Sequence, residues 1–167
     1  MSMNGRYARL TPAELERTLR EPGWGEEFVN ELAVADWDEQ REASAARCHG
    51  TEKAWHALDF LLGRIGFPVD IVHGEEDIPG AEDWGHSPPC MLSPKAVRVA
   101  AEALAALPVD ALVRDVTPAD LALAGIYPVE MWERGESLAY VTSRYQTLVP
   151  FFQAADRAGD TVVVWLQ

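Results

Sequence analysis

Three residues capable of acid–base chemistry recur at helical spacing in the first half of the sequence. Glu52 and His56 are four residues apart and His56 and Asp59 are three apart, so on a helix their side chains meet. A carboxylate beside an imidazole orients the ring and raises its pKa, as a general base or a metal ligand requires. The same residues are typical of the solvent face of an amphipathic helix, and we favour that structural interpretation.

A second set of polar residues lies in the irregular segment 66–90, which is rich in glycine and proline. His73, Asp83 and His86 belong to residue types that bind divalent metals. Their spacing matches no metal motif, however, so the sequence predicts no metal site and no cofactor. A long connection of this kind is often a partner-binding loop, with Trp84 as an exposed anchor. The alternative, which we favour, is that Trp84 packs on the core and holds the loop in place.

The remaining candidates are aromatic or thiol side chains. Tyr127 stands beside Pro128 and close to Trp132, which suits the wall of a ligand pocket or, as we favour, a packed structural corner. The adjacent pair Cys48 and His49 resembles a nucleophile and its base, but neighbouring residues seldom face each other, and we discount it. The sequence contains no glycine-rich phosphate loop and no Gly-x-Ser-x-Gly nucleophile turn.

Composition limits the partners of the chain. The 167 residues carry a net charge of −13, which disfavours nucleic acid and anionic membrane surfaces. A basic protein, a metal ion or a cationic ligand is favoured instead. A hydrophobic content of 48% and six tryptophans predict a real core. The two cysteines form no Cys-x-x-Cys motif, which indicates a reduced cytoplasmic setting, and no apolar run approaches the ~20 residues of a membrane span.

Helical spacing and capping residues predict six helices. The central one covers Thr51–Gly63, with Thr51 as its N-cap and Gly63 as its end. Proline within the last helix, at Pro150, should kink or split it. The other five helices are predicted at about residues 11–22, 25–36, 93–108, 117–125 and 136–158.

Extended segments flank the helices. A rough alternation predicts a strand over Met3–Leu10, and the β-branched run Thr161–Leu166 is apolar on consecutive positions, which is typical of an interior strand. Shorter strands are suggested at Val69–Val72 and Met91–Leu92. We therefore predict an α+β fold in one domain, residues 1–167. Its small sheet, mostly antiparallel or mixed, includes both terminal strands and is covered by about five to six helices.

Four stretches of the chain carry a resemblance to a known family. They are Met-Ser-Met-Asn-Gly-Arg-Tyr at 1–7, Lys-Ala-Trp-His-Ala-Leu-Asp-Phe-Leu-Leu at 53–62, Gly-Ile-Tyr-Pro at 125–128, and Phe-Phe-Gln-Ala-Ala-Asp-Arg-Ala-Gly-Asp-Thr-Val-Val-Val-Trp-Leu at 151–166. In this order they resemble the YfbM-like family of small bacterial proteins, a domain-of-unknown-function family. The resemblance implies a single α+β domain and supplies no activity, cofactor or catalytic residue. The chain departs from the family pattern at Ser2, where glycine is expected, at Asp59, where histidine is frequent, and at Pro150.

The sequence leaves the function unknown and supports two hypotheses. The leading one is a non-enzymatic cytoplasmic interaction protein whose acidic surface binds a basic partner, for example by neutralising a toxin or nuclease. The alternative is a small hydrolase or metal-dependent enzyme that uses His56 with Glu52 or Asp59, completed by His73 or His86. Both a monomer and a homodimer are compatible with the composition.

Overall fold

The structure is a computed structural model that describes residues 2–167. Its strands are β1 (Gly5–Leu10), β2 (Cys48–Glu52), β3 (Glu76–Asp77), β4 (Cys90–Leu92) and β5 (Thr161–Leu166). Its helices are α1 (Pro12–Arg20), α2 (Pro22–Asp38), α3 (Trp55–Arg64), α4 (Pro94–Ala106), α5 (Val109–Leu112), α6 (Pro118–Leu123), α7 (Val129–Glu133) and α8 (Ala139–Ala158).

The five strands form one antiparallel sheet in the order β2-β1-β5-β4-β3. Strand β5 lies at the centre, and its pairing with β1 extends from Gly5 opposite Leu166 to Leu10 opposite Thr161. The predicted α+β class, with both terminal strands in the sheet, is therefore confirmed. The interior position predicted for Thr161–Leu166 is also observed.

Helices cover both faces of the sheet, which explains why β5 is apolar at consecutive positions. One face packs against α3, α4 and α8 in the larger core cluster, which includes Val162 and Val164. The other face packs mainly against α1 and α2, and its cluster includes Val163 and Trp165. Alternate residues of β5 thus enter two different cores.

In residues 2–167 the structure has eight helices, where the sequence predicted about five to six. The additional ones are α5, with four residues, and α7, with five. Each follows a proline N-cap and has no side-chain capping bond. Segments this short complete hardly more than one turn, so they carry no hydrophobic period that a sequence pattern can reveal.

Helix α3 begins and ends later than predicted. Its N-cap is Ala54, because Thr51 belongs to β2 and is fully buried against Gly5 of β1. Gly63 is an ordinary helical residue. The chain leaves the helix at Gly66, where φ is +68°, and the N–H of Phe67 donates to the carbonyl of Leu62 at 3.0 Å. A glycine in the left-handed conformation therefore does end this helix, but it is Gly66, three residues beyond the predicted Gly63.

Two further predictions concern Pro150 and the segment 69–72. Helix α8 continues through Pro150 as one element from Ala139 to Ala158, so the proline does not split the helix. The carbonyl that loses its partner there belongs to Gln146, an exposed residue, so the loss leaves no buried acceptor unpaired. The segment 69–72 forms a turn instead of a strand, although Val69, Ile71 and Val72 are buried in the larger core.

Candidate functional site

The imidazole of His56 is engaged in holding two parts of the fold together. Its Nδ1 accepts a hydrogen bond from the backbone N–H of Tyr127 at 2.9 Å, and its ring stacks on Trp55 with centroids 5.0 Å apart. Because Nδ1 is the acceptor, the proton of the neutral ring resides on Nε2. This geometry gives His56 a positioning role between α3 and the turn before α7.

Tyr127 belongs to the same aromatic corner. Its hydroxyl accepts a hydrogen bond from the N–H of Met3 at 3.0 Å, while Trp55 Nε1 donates to the carbonyl of Met3 at 3.1 Å. The rings of Trp55 and Tyr127 lie 5.9 Å apart. The structure therefore places Tyr127 in a packed corner that holds the segment before β1, which was one of its two predicted roles.

Glu52 does not share a helical face with His56, because it lies in β2 before the helix begins. Its backbone φ is +50°, and its Oε1 accepts a hydrogen bond from Arg6 Nη1 at 3.3 Å. The sequence spacing that suggested an acid–base pair assumed a helix that started at Thr51. The contact with Arg6 instead joins the edge strand β2 to its neighbour β1.

The 66–90 loop is held along the end of β5. Trp84 is only 4% exposed and packs edge-on against Trp165 with centroids 5.4 Å apart. His86 donates its backbone N–H to the carbonyl of Leu166 at 2.7 Å, and its side chain and that of Asp83 are exposed. Trp84 thus holds the loop on the core, and is not exposed as a partner anchor would be.

Asp59 lies beside His73, which the enzyme hypothesis had combined with it, and beside Asp70, which the sequence did not single out. His73 Nε2 lies 4.0 Å from Asp59 Oδ2, and one ligand atom from each of Asp59, Asp70 and His73 lies within 4.8 Å of the others. Asp70 Oδ1 accepts the backbone N–H groups of Val72 and His73 at 3.1 and 2.9 Å. The turn after α3 therefore brings two carboxylates and an imidazole together, and we call these three residues the Asp59 cluster.

A groove of about 910 Å³ lies at the β2 edge of the sheet, between α2 and α8. Its walls include Val34 and Trp37 of α2 and Trp165 of β5. Trp37 is 83% exposed and Val34 is 60% exposed, so both present apolar surface to solvent beside this groove. The volume falls within the range of small-ligand pockets, roughly 300–1,000 Å³.

Cys48 and His49 line the same groove, but their protonation does not suit nucleophilic catalysis. Burial and then the charge of Asp36 raise the pKa of the Cys48 thiol to about 12. Burial and then the charge of Arg6 lower the pKa of His49 to about 4. The thiol is therefore protonated at neutral pH, whereas a cysteine nucleophile needs a depressed pKa.

Two guanidinium groups in the groove are already paired with carboxylates. Arg6 contacts Glu52 at 3.3 Å, and Arg41 contacts Asp36 at 3.0 Å and Glu39 at 2.6 Å. Among the described residues, Arg6 Nε is a buried donor without a hydrogen-bond partner. The pairing leaves no surplus of positive charge to attract an anionic ligand.

Comparison with known proteins places this fold in a family. The family described as "Domain of unknown function (DUF1877)" matches residues 1–165 of the chain. The chain belongs to the DUF1877 family. This result confirms the resemblance to YfbM-like proteins that the sequence suggested.

A solved structure resembles the DUF1877 chain over its whole length. It is the crystal structure of YfbM from Escherichia coli, a protein of unknown function, with a TM-score of 0.62 and 16% identity. The alignment covers 98% of this chain and 99% of that one. At this identity the likeness shows the fold alone. The comparison with curated proteins gives no match.

The function of this DUF1877 chain is therefore unknown, and neither comparison supplies an activity, a substrate or a partner. Among residues 2–167, no helix combines the length and the apolar character needed to cross a membrane. Arguments about function must rest on the surfaces described above.

Proposed function

We propose that this DUF1877 protein is a binding protein whose α2 face docks a basic protein partner. The observation that carries the proposal is the pair Trp37 and Val34, 83% and 60% exposed on a helix that contains no lysine, arginine or histidine. We call the outer side of α2, formed by Glu27, Glu31, Val34, Trp37 and Asp38, the α2 face.

The two apolar side chains supply the attraction at short range. Tryptophan is enriched among the residues that dominate protein–protein binding, where truncation costs about 2 kcal/mol or more. Trp37 also offers a ring face on which an arginine or lysine of the partner can stack, an interaction of about 0.5–2 kcal/mol. The groove beside Trp37 and Val34 gives such a side chain room to enter.

The acidic residues supply the attraction at long range. Glu27, Glu31 and Asp38 are exposed on the α2 face, and Glu42 is exposed just beyond the helix. With a net charge of −13 over the chain, this surface accelerates encounter with a basic protein and disfavours acidic ones. Neutralisation of a basic toxin or nuclease in the cytoplasm is one concrete form of the proposal.

The test begins with capture of partners by the full chain from a lysate of its source organism, at low salt. Any basic protein recovered is then purified, and its Kd is measured between about 0.05 and 0.5 M NaCl, a range over which exposed charges become strongly screened. We expect Trp37→Ala to weaken binding about 30-fold, the equivalent of 2 kcal/mol, and Glu31→Lys to weaken it mainly at low salt.

Leu123→Ala is the matched control, because Leu123 is 88% exposed on α6, outside the α2 face. It removes a comparably exposed apolar side chain and should leave the affinity unchanged. The proposal fails if the captured protein binds Trp37→Ala and Leu123→Ala equally well, if its affinity is insensitive to salt, or if no basic protein is recovered.

A further inference from the structure

Strand β2 forms one edge of the sheet, and its outer side has no neighbouring strand among residues 2–167. Just before β2, the carbonyl of Arg47 accepts the backbone N–H of Arg9 at 2.8 Å, and the pairing then continues to Gly50 opposite Arg6. In an antiparallel ladder, a residue bonded to the partner strand alternates with one whose backbone groups point away from it. The backbone N–H and carbonyl groups of Cys48 and Gly50 are therefore directed to the open edge.

One of these outward groups is bound in the way that a sixth strand would bind it. Asp36 of α2 accepts the backbone N–H of Cys48 on its Oδ2 at 2.8 Å, so this carboxylate takes the place of a strand carbonyl. Two residues further along, no side chain or loop of residues 2–167 forms a hydrogen bond with the backbone of Gly50. The edge is therefore closed at the N–H of Cys48 and open at Gly50.

The groove between α2 and α8 gives an added strand room beside this edge. Cys48, His49 and Gly50 all line the groove, although the side chains of consecutive strand residues point to opposite faces of a sheet. The groove therefore follows the edge of β2 as well as one face of the sheet, and Gly50 lines it with backbone atoms alone. Helix α2 borders the groove through Trp37, and α8 borders it through Thr147.

We propose that an extended segment of the basic partner adds to β2 as a sixth, antiparallel strand in this groove. The inference rests on the proposed function, because it specifies how the partner of the α2 face is held. Cys48 Sγ lies 3.5 Å from the carbonyl of Val29 in α2, so Cys48 and, two residues on, Gly50 face α2. Residues paired across an antiparallel ladder project to the same face. A basic residue opposite Gly50 therefore extends toward α2, where its charge stacks on the exposed ring of Trp37.

Charge selects a basic segment among those that could pair with this edge. The guanidinium groups of Arg6 and Arg41 beside it are already bound to carboxylates, and the chain as a whole carries a charge of −13. In strand addition, the backbone hydrogen bonds supply affinity and alternate side chains supply specificity. A segment that alternates basic with β-branched residues meets both requirements, because its β-branched residues favour the extended conformation and its charges complement the surface.

The experiment titrates a synthetic peptide, acetyl-Val-Arg-Val-Arg-Val-Arg-Val-amide, into the ¹⁵N-labelled full-length protein and follows amide hydrogen exchange by NMR. The amide of Gly50 should exchange rapidly in the free protein, and saturating peptide should slow its exchange at least tenfold. N-methylation of the three arginines should weaken binding about tenfold or more, because in the proposed register their N–H groups face β2. N-methylation of the inner valines, whose N–H groups face away from β2, should leave the affinity unchanged. A peptide with glutamate in place of arginine should not bind.

Gly50→Pro and Gly50→Ala form a matched pair of variants. Both add a Cβ whose nearest neighbours, at 2.8 and 3.0 Å, are the flexible ends of the Arg6 and Glu52 side chains. Only proline also removes the outward N–H, which an edge strand tolerates. Gly50→Pro should therefore bind the arginine peptide about tenfold more weakly than Gly50→Ala does. If Gly50→Pro does not fold, the two N-methylated peptides still decide the proposal.

The proposal is overturned if the arginine peptide does not bind at concentrations up to about 1 mM, or if the amide of Gly50 gains no protection. It is also overturned if N-methylation of the arginines costs no more affinity than N-methylation of the valines. Protection of Gly50 in the free protein would show that a second copy occupies the edge instead. If strand addition fails while a captured basic protein still distinguishes Trp37→Ala from Leu123→Ala, the proposed function stands without it. If the peptide protects Gly50 equally in Trp37→Ala, strand addition is correct and the proposed anchor is wrong.

Discussion

His49 is a histidine that the fold keeps neutral. Its ring stacks on Phe151 with centroids 5.5 Å apart, and its Nε2 lies 3.0 Å from the hydroxyl of Thr147. Burial disfavours the imidazolium, and the positive charge of Arg6 disfavours it further, so the pKa of His49 falls to about 4. Protonation of this ring is therefore coupled to unfolding.

We predict that His49 contributes to loss of stability in mild acid. An unfolded histidine has a pKa of about 6.5, so between that pH and about 4 the unfolded chain binds a proton that the folded chain rejects. The folded state consequently loses stability as the pH falls through this window, by roughly 2 kcal/mol after allowance for partial exposure of the ring.

Urea denaturation at pH 7 and at pH 4.5 measures this effect. The variant His49→Gln, which cannot titrate, should lose less stability between the two pH values than the parent chain. Carboxylates titrate in both proteins, so the difference between the two losses isolates the histidine. Equal losses would show that His49 is protonated in the folded chain.

Asp59 illustrates how far residue-level reasoning from the sequence reaches. The sequence placed Asp59 on a helix face and His73 in a loop, and combined them only in the hypothesis of an enzyme built on His56. Their proximity depends on the path of the turn after α3, which also brings Asp70 beside them. No spacing rule describes such a turn, because its residues are fixed by tertiary packing of Val69, Ile71 and Val72. The groove beside Trp37 was also missed, because it depends on how α2, β2 and α8 pack together and not on any local spacing.

At the scale of elements, the end of α3 offers a matched pair of glycines. Gly66 has a φ of +68°, whereas Gly63 is helical and has open space where a Cβ would stand. We predict that Gly66→Ala destabilises the protein by about 1 kcal/mol, since alanine strains the left-handed conformation. Gly63→Ala should be neutral or stabilise by up to about 1 kcal/mol, because alanine favours the helix.

Thermal or urea unfolding of the two variants measures this difference. The comparison needs no further control, since each variant adds one methyl group at a solvent-facing position within the same turn. If Gly63→Ala proves the more damaging of the two, the helix ends where the sequence predicted, and the boundary observed at Gly66 is wrong.

Helices whose own first residues carry a capping signal were predicted well, whereas a strand that depends on hydrogen bonds from its neighbour in the sheet was not. The capping boxes at Thr11 and Thr117 begin α1 and α6 as expected, because each satisfies its own first-turn N–H groups. Strand β2, Cys48–Glu52, has neither alternation nor β-branched enrichment. It is a strand because β1 offers it hydrogen bonds, and the sequence within β2 does not encode that.

At the scale of the whole molecule, the negative charge of the α2 face affects whether two copies of the chain form a homodimer. Trp37 and Val34 make the α2 face the natural apolar contact for a homodimer, yet the same face carries Glu27, Glu31 and Asp38. Pairing two such faces brings like charges together without a basic residue on α2 to compensate. We therefore predict a monomer at low ionic strength.

Light scattering at about 0.05 M and about 0.5 M NaCl tests this prediction, because screening at the higher salt weakens the repulsion. The expected result is the mass of one chain at low salt. A dimer at low salt that dissociates in Trp37→Ala, and not in Leu123→Ala, would identify the α2 face as a self-association surface instead.

The central place of β5 has a consequence for synthesis on the ribosome. Every other strand and helix precedes β5 in the chain, yet β5 separates β1 from β4 in the sheet. Ribosomes deliver the chain at about 5–20 residues per second. The edges of β1 and β4 that pair with β5 therefore remain without a partner strand for seconds, until β5 has been synthesised. Nascent chains of this topology are exposed to aggregation until translation of β5 is finished, and that interval is when a chaperone has most to protect.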